Sequence, residues 1–282
     1  MGSTEVEALD DGLEYNFENS DVEEGFSLQD EESTALDGAT EGDKQENDLE
    51  GDEEETVSGG KKRKRKNDKF HEKKRVKMEY DIEFKKNLSK ESREIISENL
   101  IKKIKFLNPD LSPLELSELY LDKYMIEETT SFTKDRNLKN LKEFLMDKNF
   151  KFKDIINKKR FKNDKKEFVV ILSMSAIRSC DIHRASREVK DSSIKIINKN
   201  KLSNDFKILK LTKSKIIAAT PGRIIRVLNE KDSNLEYNQI NNIILDSSYL
   251  DTKNQNIFDL KETIKLLKDI SNNNSNLKIF LY

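Results

Sequence analysis

The chain has 282 residues and a formal net charge of −2, but this value hides two parts of opposite charge. Residues 1–60 contain twenty-two acidic residues and one basic residue, which gives −21, whereas residues 61–282 carry +19. A single cysteine, Cys180, and two distant histidines, His71 and His183, exclude a disulfide framework and a zinc site. No run of eighteen apolar residues is present, so we expect a soluble intracellular protein without a metal, a cofactor or a membrane partner.

The acidic residues 1–60 are predicted to be a disordered tail. They hold few large apolar residues and eight of the nine glycines of the chain. Such a segment cannot bury enough surface to offset the entropy of ordering its backbone. We extend the prediction of disorder to about residue 80.

Residues 61–80 are predicted to be a basic linker that carries a nuclear-localisation signal. Clusters of lysine and arginine of this kind serve nuclear import or contact nucleic acid, although a solvated charged linker would have the same composition. The first cluster comprises Lys61, Lys62, Arg63, Lys64, Arg65 and Lys66, and the second comprises Lys73, Lys74 and Arg75. We therefore expect the protein in the nucleus and nucleolus.

Residues 81–160 are predicted to be a helical segment. Isoleucine and leucine recur at helical spacing over residues 89–106 and form one apolar stripe. The sequence Ser112-Pro113-Leu114-Glu115 has the order of a capping box with proline at the first helical position, which predicts a second helix. A third helix is predicted at about 136–148. Whether this segment packs on the next domain or forms a separate arm is left open.

Residues 161–282 are predicted to form a three-layer α/β domain around a parallel sheet. Short apolar runs alternate with helical segments, and most runs are aliphatic, as in strands that are buried on both faces. The predicted strands are 168–172, 194–197, 216–219, 243–245 and 277–281, and the predicted helices are 176–188, 205–212, 221–230 and 257–271. Ligands of such sheets approach the carboxyl ends of the strands.

The only glycine after residue 60, Gly222, follows a predicted strand in the sequence Thr220-Pro221-Gly222-Arg223. Proline and glycine here open a helix whose first amides attract a phosphate, while Thr220 supplies a hydroxyl and Arg223 a bidentate charged fork. A structural turn before a helix would have the same sequence. Because a nucleotide-binding loop needs several glycines, the domain has no sequence from which to build one.

This turn, together with Asp246-Ser247-Ser248-Tyr249 after the next predicted strand, resembles the first RecA-like domain of DEAD-box RNA helicases in order and spacing. The resemblance implies a single RecA-like domain that holds the RNA backbone through Thr220, Pro221, Gly222 and Arg223. Ser247 stands where these helicases have the glutamate that positions water, and Tyr249 replaces their last aspartate. No Gly-x-x-x-x-Gly-Lys-Thr/Ser sequence is present. We therefore expect a degenerate acidic box, no catalytic residue and no enzymatic activity.

A closer resemblance is to the Cms-type family of small-subunit pre-ribosome proteins. It covers the sequences 112–120 and 169–178, the turn at 219–223 and the strand that ends at Asp246. It implies a non-enzymatic, nucleolar component of the small-subunit processome that acts in pre-rRNA processing and binds pre-ribosomal RNA and assembly factors. Ser-Ala-Ile-Arg stands where active helicases have Pro-Thr-Arg-Glu-Leu, a loop that grips RNA. Further candidate RNA contacts are therefore Ser173, Ser175 and Arg178.

The acidic residues 1–60 leave a different function open. They could engage basic ribosomal proteins or histones, and the chain would then be a protein-binding adaptor without direct RNA contact. The acidic segment could also fold onto the basic part of its own chain and suppress unspecific RNA binding. None of these functions requires a small-molecule substrate.

Overall fold

The computed structural model divides the chain after Val57 and describes residues 59–158, 165–187, 189 and 193–282, with side chains from residue 71 onward. The predicted acidic tail therefore lies outside the described residues, except for its last two positions. The helices are α1 (Gly59–Asn87), α2 (Arg93–Leu107), α3 (Pro113–Glu118), α4 (Leu141–Leu145), α5 (Phe152–Asn157), α6 (Ala176–Ser186), α7 (Leu202–Leu211), α8 (Pro221–Asn229) and α9 (Lys261–Asn273). The strands are β1 (Ile126–Glu127), β2 (Phe168–Leu172), β3 (Ser193–Ile196), β4 (Ile216–Ala219), β5 (Ile240–Leu245) and β6 (Lys278–Leu281).

All of these strands are parallel in one sheet with the order β1-β6-β5-β2-β4-β3. The central strands β2 and β4 are unbroken apolar runs that are buried at every position, because helices cover both faces of the sheet. The predicted parallel α/β sheet is thus confirmed, and the predicted strand ends differ from the observed ones by at most three residues.

Alternate residues of each strand enter two separate cores. Val170 and Ile217 pack with α2, α8 and α9 on one face of the sheet, and Ile171 and Ala218 pack with α4, α5 and α6 on the other. The result is three layers. Each fully buried isoleucine or leucine stabilises the fold by roughly 1.5–3 kcal/mol, so the two cores hold the sheet edges in place.

The described part of the predicted helical segment, residues 81–158, packs on this sheet and contributes one edge strand. β1 pairs with β6 through Ile126 and Ile279, and Ile96 of α2 is buried in the same core as β2 and β4. The alternative of a separate helical arm therefore does not hold for this segment. The sequence did not predict β1 because a two-residue strand offers no alternation to detect.

Of the helices predicted in this segment, one is confirmed with its cap and another is shorter than predicted. The capping box is confirmed, because the side chain of Ser112 accepts from Glu115 N and the side chain of Glu115 accepts from Ser112 N at 2.8 Å. The helix predicted at 136–148 is shorter than expected, since the chain forms a loop around the buried Arg136 and α4 begins only at Leu141.

The long helix α1 corrects the prediction of disorder for residues 59–80. Lysine, arginine and glutamate are good helix formers, so this segment can be helical without a large apolar stripe. Its carboxyl end is fixed, because Lys85 Nζ donates to Asn254 O at 2.8 Å and lies 3.5 Å from Asp259. Among the described residues, α1 and the other helices include none with the length and apolar character needed to cross a membrane.

Candidate nucleic-acid interface

Three adjacent strands are followed by polar residues at the carboxyl edge of the sheet. Asp246 follows β5, Ser173 follows β2 and Thr220 follows β4. Asp246 N donates to Leu172 O at 2.9 Å, and Ser173 N donates to Ala219 O at 3.0 Å, so the strand pairing continues to these residues. The structure thus brings the predicted acidic box, the loop after β2 and the Thr-Pro-Gly-Arg turn to one edge, where open α/β sheets bind ligands.

Two hydroxyl groups in the middle of this edge have no hydrogen-bond partner among the described residues. Ser173 Oγ and Thr220 Oγ1 are both enclosed and unpaired; Ser173 is fully buried, whereas Thr220 is partly exposed as a residue. Leaving a buried hydroxyl without a partner costs about 1–3 kcal/mol. The fold therefore keeps unused hydrogen-bonding capacity on two neighbouring strands, which is typical of a position that receives a ligand.

The amino termini of α6 and α8 follow these hydroxyls in the chain. Ser175 caps α6, because its Oγ accepts from Arg178 N at 3.1 Å. Thr220 occupies the cap position of α8 without a side-chain cap bond, and the buried Pro221 takes the first helical position. The first amides of a helix attract anions when no cap occupies them. Of the predicted contacts, Ser175 is thus used as a cap, and Thr220 retains a free group.

Gly222 is not required by the backbone or by the packing. Its φ lies outside the left-handed range that favours glycine, and a Cβ built on it would meet only Glu262 Cγ, at an ordinary contact distance of 3.9 Å. The residue is partly exposed. A glycine that the fold does not need leaves the start of α8 open to the close approach of a ligand.

Arg223 does not offer its guanidinium to a ligand, and this corrects its predicted role as a phosphate fork. Its Nε donates to Asp205 Oδ2 at 2.8 Å, and its Nη2 donates to Asn200 O at 2.7 Å. Asp205 is fully buried and Arg223 is 5% exposed. A buried carboxylate needs a counter-charge, and the sequence could not reveal this need because the burial of Asp205 depends on how α7 and α8 pack.

Arg178 is also occupied, which corrects its predicted RNA contact. Its Nε and Nη2 donate to the two carboxylate oxygens of Asp246 at 2.8 and 3.1 Å, and its guanidinium carbon lies 4.5 Å from the centre of the Tyr249 ring. Burial lowers the pKa of Arg178, but the hydrogen bonds and the charge of Asp246 outweigh this effect and raise the pKa above its ordinary value. Both oxygens of Asp246 are thus bound within the chain.

The two serines of the degenerate acidic box have structural partners. Ser247 N donates to Tyr282 O at 2.8 Å and Ser247 Oγ donates to the same atom at 3.1 Å. Ser248 N also donates to Tyr282 O, and Ser248 Oγ donates to Arg136 O at 3.2 Å. These residues therefore join β5 to the end of β6 and to the loop before α4, and they present no carboxylate.

Arg136 is an important residue of this edge that the sequence did not predict. It lies in the loop between β1 and α4, where Nη2 donates to Thr129 O at 2.7 Å and the guanidinium carbon is 4.8 and 5.3 Å from the ring centres of Phe132 and Phe144. Burial lowers the pKa of Arg136 to about 10. The aromatic spacing around it was visible in the sequence, but nothing there indicated that a cation would enter the cluster.

These contacts limit the chemistry of the interface. Among the described parts of the chain, no group of three His, Cys, Asp or Glu side chains is placed to hold a metal ion. The groups that remain available, the Thr220 hydroxyl and the Gly222 amide, are hydrogen-bond donors that suit an oxyanion, because Pro221 has no N–H and the amides of Arg223 and Ile224 donate to Thr220 O. The fold and this edge define a parallel three-layer α/β domain in which Asp246, at the carboxyl edge of the sheet, is bound by Arg178 of the same chain.

The chain belongs to the CMS1 family, described as the U3-containing 90S pre-ribosomal complex subunit, whose family model matches residues 40–278. It is similar to Protein CMS1 of Saccharomyces cerevisiae, with 32% identity over 219 residues that cover 72% of this chain and 70% of the relative. It is also similar to Protein CMS1 of Chaetomium thermophilum, with 30% identity over 175 residues that cover 61% of this chain and 68% of the relative. The predicted family is thus confirmed, and with it a role in ribosome biogenesis.

One solved structure to which the chain shows a weak similarity is that of Mss116p bound to single-stranded RNA and AMP-PNP. The identity is 19% and the TM-score is 0.36, and the alignment covers 69% of this chain and 41% of that protein. A likeness at this level carries no information about function.

Proposed function

We propose that the chain is a non-enzymatic, nucleolar component of the small-subunit processome that acts in pre-rRNA processing by binding RNA at the carboxyl ends of β2 and β4. Membership of a family of pre-ribosomal complex subunits supports the assembly and the nucleolar location. The basic clusters of α1 fit entry into the nucleus.

The observation that carries the RNA-binding part is the pair of unpaired hydroxyls of Ser173 and Thr220 beside the uncapped start of α8. A phosphate oxygen placed there would accept from the Thr220 hydroxyl and from the Gly222 amide, the first amide of α8 that is not bonded to Thr220 O. Such bonds to a charged group are worth about 1.5–3 kcal/mol each. They read no base, so the expected contact is with the RNA backbone, independent of sequence.

The non-enzymatic part of the proposal is supported by the residues that occupy the acidic box. Asp246 is bound by Arg178, and Ser247, at the place of the water-positioning glutamate, is bonded to Tyr282 O. Phosphoryl transfer depends on charged groups that position water, phosphates and magnesium, and here those positions hold paired or uncharged side chains. We expect no saturable binding of magnesium and ATP by the purified full chain in a titration calorimetry experiment.

The decisive RNA experiment uses Thr220→Val in the full chain. This change removes the unpaired hydroxyl and keeps the side-chain shape, so we expect unchanged or slightly higher stability together with an RNA affinity that is lower by about tenfold, or 1.4 kcal/mol. The affinity is measured by fluorescence anisotropy with a labelled single-stranded RNA.

The matched control is Thr263→Val, because Thr263 Oγ1 is buried and donates to Ile257 O at 2.7 Å. This control should lose stability and keep its RNA affinity. Equal RNA affinity of the wild type and Thr220→Val would show that this edge of the sheet does not bind RNA. No RNA affinity in the wild type would favour the protein-binding adaptor.

A further inference from the structure

The helix α1 carries a row of lysines at helical spacing. It runs from Gly59 to Asn87, about 43 Å at 1.5 Å per residue. Residues three and four apart lie on the same face of a helix. The lysines with this spacing, named the lysine stripe below, are Lys62, Lys66, Lys69, Lys73 and Lys77. Tyr80, three residues beyond the last of them, continues the same face and is 70% exposed.

The lysine stripe is electrostatically unfavourable for an isolated helix. Three of its neighbouring pairs are four residues apart, and like charges at this spacing each destabilise a helix by about 0.2–0.5 kcal/mol. Residues 61–77 contain eleven basic and two acidic residues. The ion pair of Arg75 with Glu79 lies off the stripe, whereas Asp81, which pairs with Lys85, is four residues after Lys77 and relieves the repulsion only at this end. The repulsion within the stripe would be relieved by an external polyanion.

From this placement we propose that the lysine stripe binds the phosphate backbone of RNA, as a second contact that is separate from the Thr220 edge. This inference rests on the proposed RNA-binding function. The stripe is about 22 Å long from its first to its last Cα, and RNA presents one negative charge per nucleotide along such a line. Neutralising these charges releases counterions, which favours binding. Tyr80 adds an exposed ring on which a base can stack.

The attachment of α1 gives this contact a fixed position. Phe84 packs against the core that contains α2, and Lys85 is bonded to Asn254 O and lies beside Asp259. Residues 71–81 are exposed, so the part of the stripe at Lys73 and Lys77 is free to meet a partner. A nuclear-localisation signal requires the basic composition, but it does not require lysines at helical spacing on one face.

The experiment compares two variants of the full chain that remove the same amount of charge. In the first, the five lysines of the stripe are changed to glutamine. In the second, five basic residues that lie about 80° or more around the helix from the centre of the stripe, at about 100° per residue, are changed to glutamine, namely Lys61, Arg63, Lys64, Lys74 and Arg75. The affinity for a labelled RNA hairpin with a single-stranded extension is measured at several salt concentrations, and helix content is measured by circular dichroism.

We expect the stripe variant to bind RNA at least a hundredfold more weakly at about 0.1 M salt, with a salt slope that is smaller by about 3.5 to 4.5, and the control to lose less than tenfold. We also expect RNA to increase the helix content of the wild type but not of the stripe variant. Equal losses in both variants would mean that only bulk charge matters and would overturn the proposal, as would unchanged RNA affinity in the stripe variant.

The failure of this inference is distinguishable from the failure of the proposed function. If Thr220→Val weakens RNA binding and the stripe variant does not, the proposed RNA-binding function holds. The lysine stripe would then serve nuclear import and not RNA binding. If the wild type binds no RNA, both proposals fail together.

Discussion

The two halves of the carboxyl edge of the sheet differ in whether their polar side chains are hydrogen-bonded. On the side of β5 and β6, Asp246 is bound by Arg178, and Ser247 is bonded to Tyr282 O. On the side of β2 and β4, the hydroxyls of Ser173 and Thr220 have no hydrogen-bond partner in the part of the chain that the structure describes. We call these the closed half and the open half. Buried polar groups are normally paired, so the closed half behaves as part of the fold, and the open half is the place to look for a ligand.

The difference also separates residues that look alike in the sequence. Arg223 and Gly222 are neighbours in one motif, yet Arg223 is buried on Asp205 and belongs to the fold, while Gly222 is partly exposed and unconstrained by packing. Mutations should therefore fall into two groups. Changes to paired residues should affect stability, and changes to unpaired ones should affect binding.

The largest effect is expected for Arg223→Ala. It would leave the fully buried carboxylate of Asp205 without a counter-charge, which typically destabilises a fold by about 3–5 kcal/mol. The free energy of unfolding is measured by urea denaturation at pH 7. Arg226→Ala removes an exposed arginine from the same helix and should change it by less than about 0.5 kcal/mol. If both variants were equally stable, Arg223 would not belong to the paired group.

A somewhat smaller loss, about 3 kcal/mol at pH 7, is expected for Arg178→Ala, because Arg178 is more exposed than Arg223. The Asp246 carboxylate, whose side chain is 1% exposed, would then be buried without its counter-charge. Urea unfolding at pH 7 measures the loss. Arg184→Ala, whose side chain is 66% exposed, is the matched control.

A loss no larger than that of Arg184→Ala would contradict this assignment, since it would show that the fold does not need a counter-charge for Asp246. A gain of magnesium-dependent ATP binding in Arg178→Ala would be more serious. It would mean that the arginine blocks a functional nucleotide site, and the closed half would then be a regulated site.

The parallel sheet could be predicted because its strands are continuous apolar runs such as those of β2 and β4. The edge strand β1 could not, because its two residues form a strand only through pairing with β6. At the site, the Thr-Pro-Gly-Arg turn and its place after a strand were visible in the sequence. The engagement of Arg178 by Asp246 was not, because the two residues are 68 positions apart and only the order of strands brings them together.

Helix α1 shows a further limit of prediction from the sequence. Its composition predicts disorder because few apolar residues are available for burial, yet lysine and glutamate favour helix locally. The end of the helix is anchored by Phe84 and Lys85, and these tertiary contacts could not be read from residues 61–80 alone. The sequence therefore revealed the basic composition of this segment, and the helix in the structure shows which of its lysines share one face.

Gly222→Ala sharpens the comparison because stability and binding should move in opposite directions. Alanine is favoured over glycine inside a helix by up to about 1 kcal/mol, and its Cβ would fit beside Glu262. For Gly222→Ala we expect a small rise in the free energy of unfolding. We also expect an RNA affinity that is about threefold to tenfold lower than that of the wild type. Asn229→Ala, at the exposed far end of α8, should leave RNA affinity unchanged. Unaltered RNA affinity in Gly222→Ala would mean that no ligand approaches this backbone closely.

The smallest effect is expected for the pH dependence that His183 confers on stability. His183 Nδ1 lies 2.7 Å from Ser193 Oγ, and burial lowers the pKa of His183, with further lowering by Arg187, Lys195 and Arg184. The unfolded chain therefore binds a proton at a higher pH than the folded chain. The stability that neutral His183 contributes above about pH 6.5 should be lost as the pH falls through that value and through the lowered pKa of the folded state.

His183→Gln should accordingly lose less stability than the wild type when urea unfolding is compared at pH 7.5 and pH 5, and His71→Gln, which removes an exposed histidine from α1, is the matched control. Because His183 is paired with Ser193, it belongs with the residues of the fold, and its replacement should leave RNA affinity unchanged at pH 7.5. A clear fall in RNA affinity there would place a contact at the amino-terminal end of β3, away from the open half. The rule that paired groups serve the fold would then fail at His183.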